Sequence, residues 1–189
     1  MNLQQLNWKI HLLNPGKTKP PLWFKAFNTW IPDGPEIFID VADYSHVGEG
    51  PVTLLAGHYA NFSLDNTGGR LGLLLDRRQP QDGGNADKLH AGLKSLLTGA
   101  ARLEQDATLE GTAEFDAGDL KLVVNNRAIA SNTEADFSLL KAEVSPLLDV
   151  VLGAGNYTVS QDPDPKQRLT LHIKAKGAVK VGDALAKLG

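Results

Sequence analysis

The stretch from Glu36 to Asp76 constrains the fold more than any other: it reads as strands in succession, separated by turns, and it belongs in the core of a sheet. Side chains alternate across a strand, so Ile37, Ile39 and Val41 are expected on one face and Phe38 and Asp40 on the other. A carboxylate beside a Phe is costly on a covered face unless it is paired or protonated. Asp43, Tyr44, Ser45 and His46 then form a turn that Gly48–Pro51 closes. Pro51 has no N–H for a ladder, so it opens the next strand. That strand is Val52–Gly57, with Gly57 as a bulge or bend, and the chain continues through His58 to Asp65. With the parity carried through Gly57, His58 joins Leu54, Ala56, Ala60, Phe62 and Leu64 and points inward. Asn66–Gly69 is a turn by composition. Leu71–Leu75 is almost wholly apolar, as in a strand covered on both faces.

Upstream, Leu6, Trp8, Ile10 and Leu12 alternate with Asn7, Lys9 and His11, giving a strand with a wet face on which His11 lies. Gly16-Lys17-Thr18 is no phosphate loop, because His11 occupies the position where that pattern needs its first Gly. Leu22, Trp23, Phe24, Phe27 and Trp30 are spaced for a short helix over Pro21–Ile31 packed on the sheet, ended by Pro32-Asp33-Gly34-Pro35. Downstream, Leu89, Leu93, Leu96, Leu97, Ala100 and Leu103 make a helical stripe within Asn85–Gln105. Leu109–Phe115 and Asp119–Asn125 are expected to pair as a hairpin around Ala117-Gly118. Thr133 and Asp136 signal a helix start, Pro146 a kink or restart, and Gly153 a stop. Asn156–Gln161 and Arg168–Lys176 form a final hairpin, and Val179–Leu188 a short terminal helix.

Three strand patterns recur at a spacing of 49 residues, beginning at Arg70, Asp119 and Arg168, and suggest repeated strand–strand–helix units. The alternative is coincidence among ordinary amphipathic strands. Over about 70–161 the order β-α-β-β-α-β is that of a ferredoxin-like layer. The expected fold is therefore α+β: one domain over 1–189, with a mostly antiparallel sheet extended by N-terminal strands and helices packed on one face. An uncovered opposite face makes a homodimer an expected partner state.

Composition removes several functions. With 189 residues the chain can bury a real core. The formal charge of -3 gives no electrostatic reason for a nucleic-acid partner. The absence of cysteine excludes disulfides, thiolate metal sites and Cys nucleophiles. Met1–Lys17 has no long apolar run, so a cleaved leader is not expected, and no stretch approaches the roughly 20 apolar residues of a membrane span. A cytoplasmic protein without a membrane partner is the expectation.

Asp40, Asp43, His46 and His58 form the sharpest candidate constellation. Carboxylates and imidazoles ligate zinc, iron and manganese, and they pair as base and orienting acid. Asp43, His46 and His58 are the candidate metal ligands, although no HExxH, HxH or HxxxH spacing supports them. The competing reading makes His58 and Asp40 hydrogen-bonded core groups that set the register, and Asp43–His46 a capped turn. Arg127, with Asn125, Asn126 and Asn132, is a candidate anion site because a guanidinium offers a planar fork. A solvated loop is the plainer account. Serine catalysis lacks its G-x-S-x-G elbow.

The run FNTWIPDGPEIFIDVADYSHVGEGPVTLLAGHYANFSLD at Phe27–Asp65, RLGLLLDRR at Arg70–Arg78 and NNRAIASNT at Asn125–Thr133 resemble a family of uncharacterised bacterial cytosolic proteins of about this length. The resemblance implies a bacterial, soluble, single-domain protein. It brings no activity, cofactor or site residue.

Two functions stand: a small-ligand or metal-binding protein, whether enzyme or binding protein, using Asp40, Asp43, His46 and His58, with Arg127 as a further ligand contact; or a non-catalytic interaction or assembly protein acting as a homodimer.

Overall fold

The structure, a computed structural model, describes residues 1–34 and 36–189; Pro35, assigned to the stop after the aromatic helix, lies outside the described residues. The strands are β1 (Leu6–Leu12), β2 (Phe38–Asp43), β3 (Pro51–Gly57), β4 (Ala60–Asp65), β5 (Gly72–Arg77), β6 (Phe115–Val124), β7 (Tyr157–Gln161) and β8 (Thr170–Ala175). The helices are α1 (Pro20–Asn28), α2 (Trp30–Asp33), α3 (Asn85–Gln105), α4 (Glu134–Leu152) and α5 (Val181–Ala186). All eight strands form one sheet, ordered β2-β3-β4-β5-β1-β6-β8-β7, and every neighbouring pair is antiparallel. This is the expected α+β architecture.

The apolar parity of each strand faces the helices. Trp8 stands opposite Leu75 on one side and Leu122 on the other, and Leu122 opposite Leu171. Against this floor α3 lays the stripe Leu89, Leu93, Leu96, Leu97, Ala100 and Leu103, each fully buried. Glycines let the helix come close. A Cβ at Gly92 would lie 2.8 Å from the Trp8 ring, and one at Gly99 2.8 Å from Phe62. Trp23, Phe27, Trp30, Phe38 and Phe62 meet in edge-on or tilted contacts, so the aromatics of α1 and α2 are core.

The ferredoxin-like expectation holds in its split crossover and differs in one element. Leu109–Phe115 is not a strand. The chain turns there through Glu110 (φ 53°) and Gly111 (φ 69°), and one ten-residue strand, β6, follows. Ala117-Gly118 is a bulge rather than a hairpin turn: His11 faces Asp116 while Ile10 faces Leu120, and Ala117 N–H donates to Val179 O. The order over 72–161 is therefore β-α-β-α-β. β5 and β6 flank β1, and β6 and β7 flank β8, so two split β-α-β units share β6. The strand–strand–helix repeat is complete in β4-β5-α3 and β7-β8-α5, and lacks its first strand in β6-α4.

Two further expectations change in Glu36–Asp65. The β2–β3 register shifts between Phe38 and Asp40, so Phe38 and Val41 are buried while Ile39 and Asp40 both stand in solvent. And β3 ends at Gly57. His58 and Tyr59 form a tight turn, and β4 runs back from Ala60, with Leu55 opposite Phe62. A Cβ at Gly57 would lie 2.0 Å from Ala60 O, so only glycine closes this turn without displacement. The strand parity therefore does not carry through to His58.

Candidate functional site

The expected constellation does not form. Asp40, Asp43, His46 and His58 are all exposed. Asp40 accepts the N–H of its own neighbour Val41 at 2.8 Å, and Asp43 accepts the Ser45 N–H at 2.8 Å as a turn cap. The bonds from Ser45 hold the Asp43 carboxyl below its ordinary value, with a smaller contribution from His46. Ser45 thus serves the turn. His46 lies beyond the Asp43 end of the β2–β3 hairpin and His58 at the Gly57 end. The seven residues of β3 separate them by about 20 Å at strand rise. They cannot share a metal ion. Among the described residues, no group of three or more His, Asp or Glu side chains is placed to hold one.

Polar side chains converge elsewhere, on the sheet face away from the helices. Ser63, Leu74, Lys9, Lys121 and His172 stand opposite one another across β4, β5, β1, β6 and β8. Flanking strands and the segments around Thr67 and Gln167 wall this row in, and a cavity of about 390 Å³ opens over it. Leu74 is on its floor, so β5 is covered by helices on one face only.

Lys9 is the most buried cation among the described residues. It is 2 % exposed, and its Nζ donates to Asp65 Oδ1 at 2.7 Å and to Thr67 O at 3.4 Å. Burial pulls the Lys9 ammonium below its ordinary pKa; Asp65 opposes that, and Lys121 and Arg70 add to it. Asp65 is occupied besides, accepting from Thr67 N at 3.1 Å and Thr67 Oγ1 at 3.0 Å. Three further cations reach the cavity: Lys121 from β6, Arg127 from the segment after β6, and Arg168 from the segment before β8. Of the candidate residues from the sequence, Arg127 lines this cavity, and Asp40, Asp43, His46 and His58 do not. Its guanidinium also donates to Lys166 O. Asn7, 7 % exposed, lines the same cavity with a buried Oδ1 that has no hydrogen-bond partner. Next to it across the ladder is Asp76, whose carboxyl burial pushes up against the opposing pull of Arg78 and Arg168.

A second cluster lies toward the far end of β1. Asp119 accepts from Arg70 Nη2 and Lys174 Nζ, each at 2.7 Å, and lies 2.9 Å from His11 Nδ1. That same nitrogen is 3.1 Å from Asp119 O. Both atoms facing it are acceptors, so Nδ1 carries a proton. Burial pushes the Asp119 carboxyl up, but the bonds from His11, Arg70 and Lys174 outweigh it and hold it well below the carboxylate range. His11, assigned to a wet face, is 5 % exposed and fastens β1 to β6.

No family model matches the chain, and no curated protein is similar to it. The chemistry must be read from the site. Four cationic side chains and one carboxylate line the cavity, and that carboxylate is bound to Lys9 and Thr67. The lining thus carries an excess of positive charge on a chain of net charge -3. The alternation Asn7, Lys9, His11 in β1 was the sequence signal for it; the depth of these groups was not encoded in that alternation.

Proposed function

We propose that the protein binds a small anionic ligand in the open-face cavity of the sheet, as a binding protein. The observation that carries this is the convergence of Lys121, Arg127 and Arg168 around a concave site whose only lining carboxylate is already committed. Ligand pockets begin at about 300 Å³, so the cavity suits a compact molecule. Guanidinium forks at its mouth suit a carboxylate or a phosphate group. The unpaired Asn7 Oδ1 would accept one donor from the ligand, such as a hydroxyl. Lys9 would act mainly through the field it adds, since Asp65 holds it.

The same features argue against the open face as a dimer interface. A second copy pressed there would have to desolvate the Lys121, Arg127 and Arg168 charges. The resemblance to bacterial cytosolic proteins favours a cytoplasmic setting for the binding protein.

Titration calorimetry at low ionic strength, with inorganic phosphate, a sugar phosphate, a dicarboxylate and a neutral polyol, tests the reading. We expect saturable binding of at least one anion, weakened by added salt and by about tenfold or more in Arg168→Ala or Lys121→Ala. The anion preferred separates a phosphate from a carboxylate site. No heat with any anion, or binding unaffected by both substitutions, overturns it.

A further inference from the structure

The end of the sheet opposite the cationic strands has a character of its own. β2 closes the sheet order and pairs only with β3, so one side of its backbone is available for another strand. Ile37 is 61 % and Ile39 62 % exposed, the two most exposed large apolar side chains among the described residues. Tyr59 at the hairpin tip and Tyr44 and Val47 beyond the other end of β2 extend this surface. Exposed apolar groups beside an open strand edge offer a surface for another strand.

Charge identifies the occupant. From Ala26 to Gly69 there is no Lys or Arg. Of the carboxylates in that segment, Asp33 pairs with Arg102, Glu36 with Arg77 and Asp65 with Lys9. Asp40, Asp43 and Glu49, all exposed, form no ion pair among the described residues. β2 thus presents exposed apolar side chains beside carboxylates that have no ion pair, and neither it nor the turns that flank it carry a Lys or Arg of their own. A second copy of β2 would bring a strand with carboxylates of its own and no Lys or Arg to meet Asp40 or Asp43, and like charges brought together across strands are destabilising. A partner strand bearing cations meets the opposite sign at the same positions.

We infer that the β2 edge docks an extended segment of another protein, one that carries Lys or Arg among apolar side chains and adds as a further strand. The main chain supplies the hydrogen bonds and the side chains supply selectivity. Ile37 and Ile39 offer the apolar contact; Asp40 and Asp43 select the charge. The Asp40 carboxylate now covers the Val41 N–H, so docking exchanges that bond for one to the incoming strand and frees the carboxylate for a cation. This site is separate from the open-face cavity and does not depend on it.

Amide hydrogen exchange on the full chain tests the inference, with a synthetic peptide of about eight residues alternating Val and Lys, and a Val/Glu peptide of equal length. We expect the Val/Lys peptide to slow exchange at 38–43 and the Val/Glu peptide to leave it unchanged. An Asp40→Lys/Asp43→Lys protein should lose affinity for the Val/Lys peptide by about tenfold or more and gain protection from the Val/Glu peptide. The doubly substituted protein must keep its thermal transition, and a surface Ile39→Ser variant gives a second reading of the same loss. Equal protection by both peptides, no protection by either, or concentration-dependent protection of 38–43 in the peptide-free protein, which would make a second copy the occupant, each overturns it.

Discussion

Lys9 and Asp65, 56 residues apart, meet at 2.7 Å between β1 and β4, each about 2 % exposed. Their strands are not neighbours; β5 lies between them. A cation and a carboxylate so far from water are stable only as a pair. Lys9→Met strands Asp65, and Asp65→Leu strands Lys9 and also removes the acceptor of two Thr67 bonds. Each single substitution should cost about 3–5 kcal/mol, whereas Lys9→Met/Asp65→Leu should lie much nearer the wild type. Urea unfolding of the four proteins gives the coupling; additive losses would mean that the pair is not a unit.

Asp119 and Asp76 should impose opposite pH dependences on stability. The folded Asp119 carboxyl lies below its unfolded value, so its contribution is full above about pH 4 and is lost as pH falls toward the folded value. Asp76 is pushed up by burial, so ionising it costs stability as pH rises through its folded value. Asp119→Asn should therefore be destabilising at pH 7 and progressively less so below pH 4. Asp76→Asn should stabilise at pH 7 and change little in acid. Unfolding midpoints from about pH 3 to 8 for both variants check the signs.

Gly99 tests the packing of α3 on the sheet. In an exposed helix interior Gly→Ala would add about 1 kcal/mol of stability. Here the new Cβ falls 2.8 Å from Phe62 Cε1 and 3.3 Å from Trp30 Cη2, and both rings are buried. We expect Gly99→Ala to destabilise by about 1–3 kcal/mol. Adding Phe62→Leu should relieve part of that loss. A stabilising Gly99→Ala would show that the ring moves freely.

Legibility of the fold followed the length and regularity of each pattern. The stripe of α3 marked its ends at Asn85 and Gln105, and the Thr133 signal appears as Thr133 Oγ1 accepting the Asp136 N–H at 3.3 Å. The final hairpin and the terminal helix likewise lie where their alternation and spacing placed them. Glycines were harder to read. Gly57 belongs to a two-residue turn and Gly118 to a bulge, because the same conformational freedom serves a turn, a bend or a bulge. Each misassignment moved a parity, and the first of them turned His58 inward on paper.

The site divides along the same line. Asn7, Lys9 and His11 could be read as one face of β1, because alternation is a property of a strand's own backbone. So could the shortage of Lys and Arg between Ala26 and Gly69, which is plain in the order of residues. Strand order and register decided the rest. They placed β5 between Lys9 and Asp65, carried Arg127 and Arg168 to the mouth of one cavity, and brought Arg70 to Asp119. Local sequence governs which way a side chain points; which distant side chain it meets depends on the burial of the whole sheet, a sum over contacts that no single stretch contains.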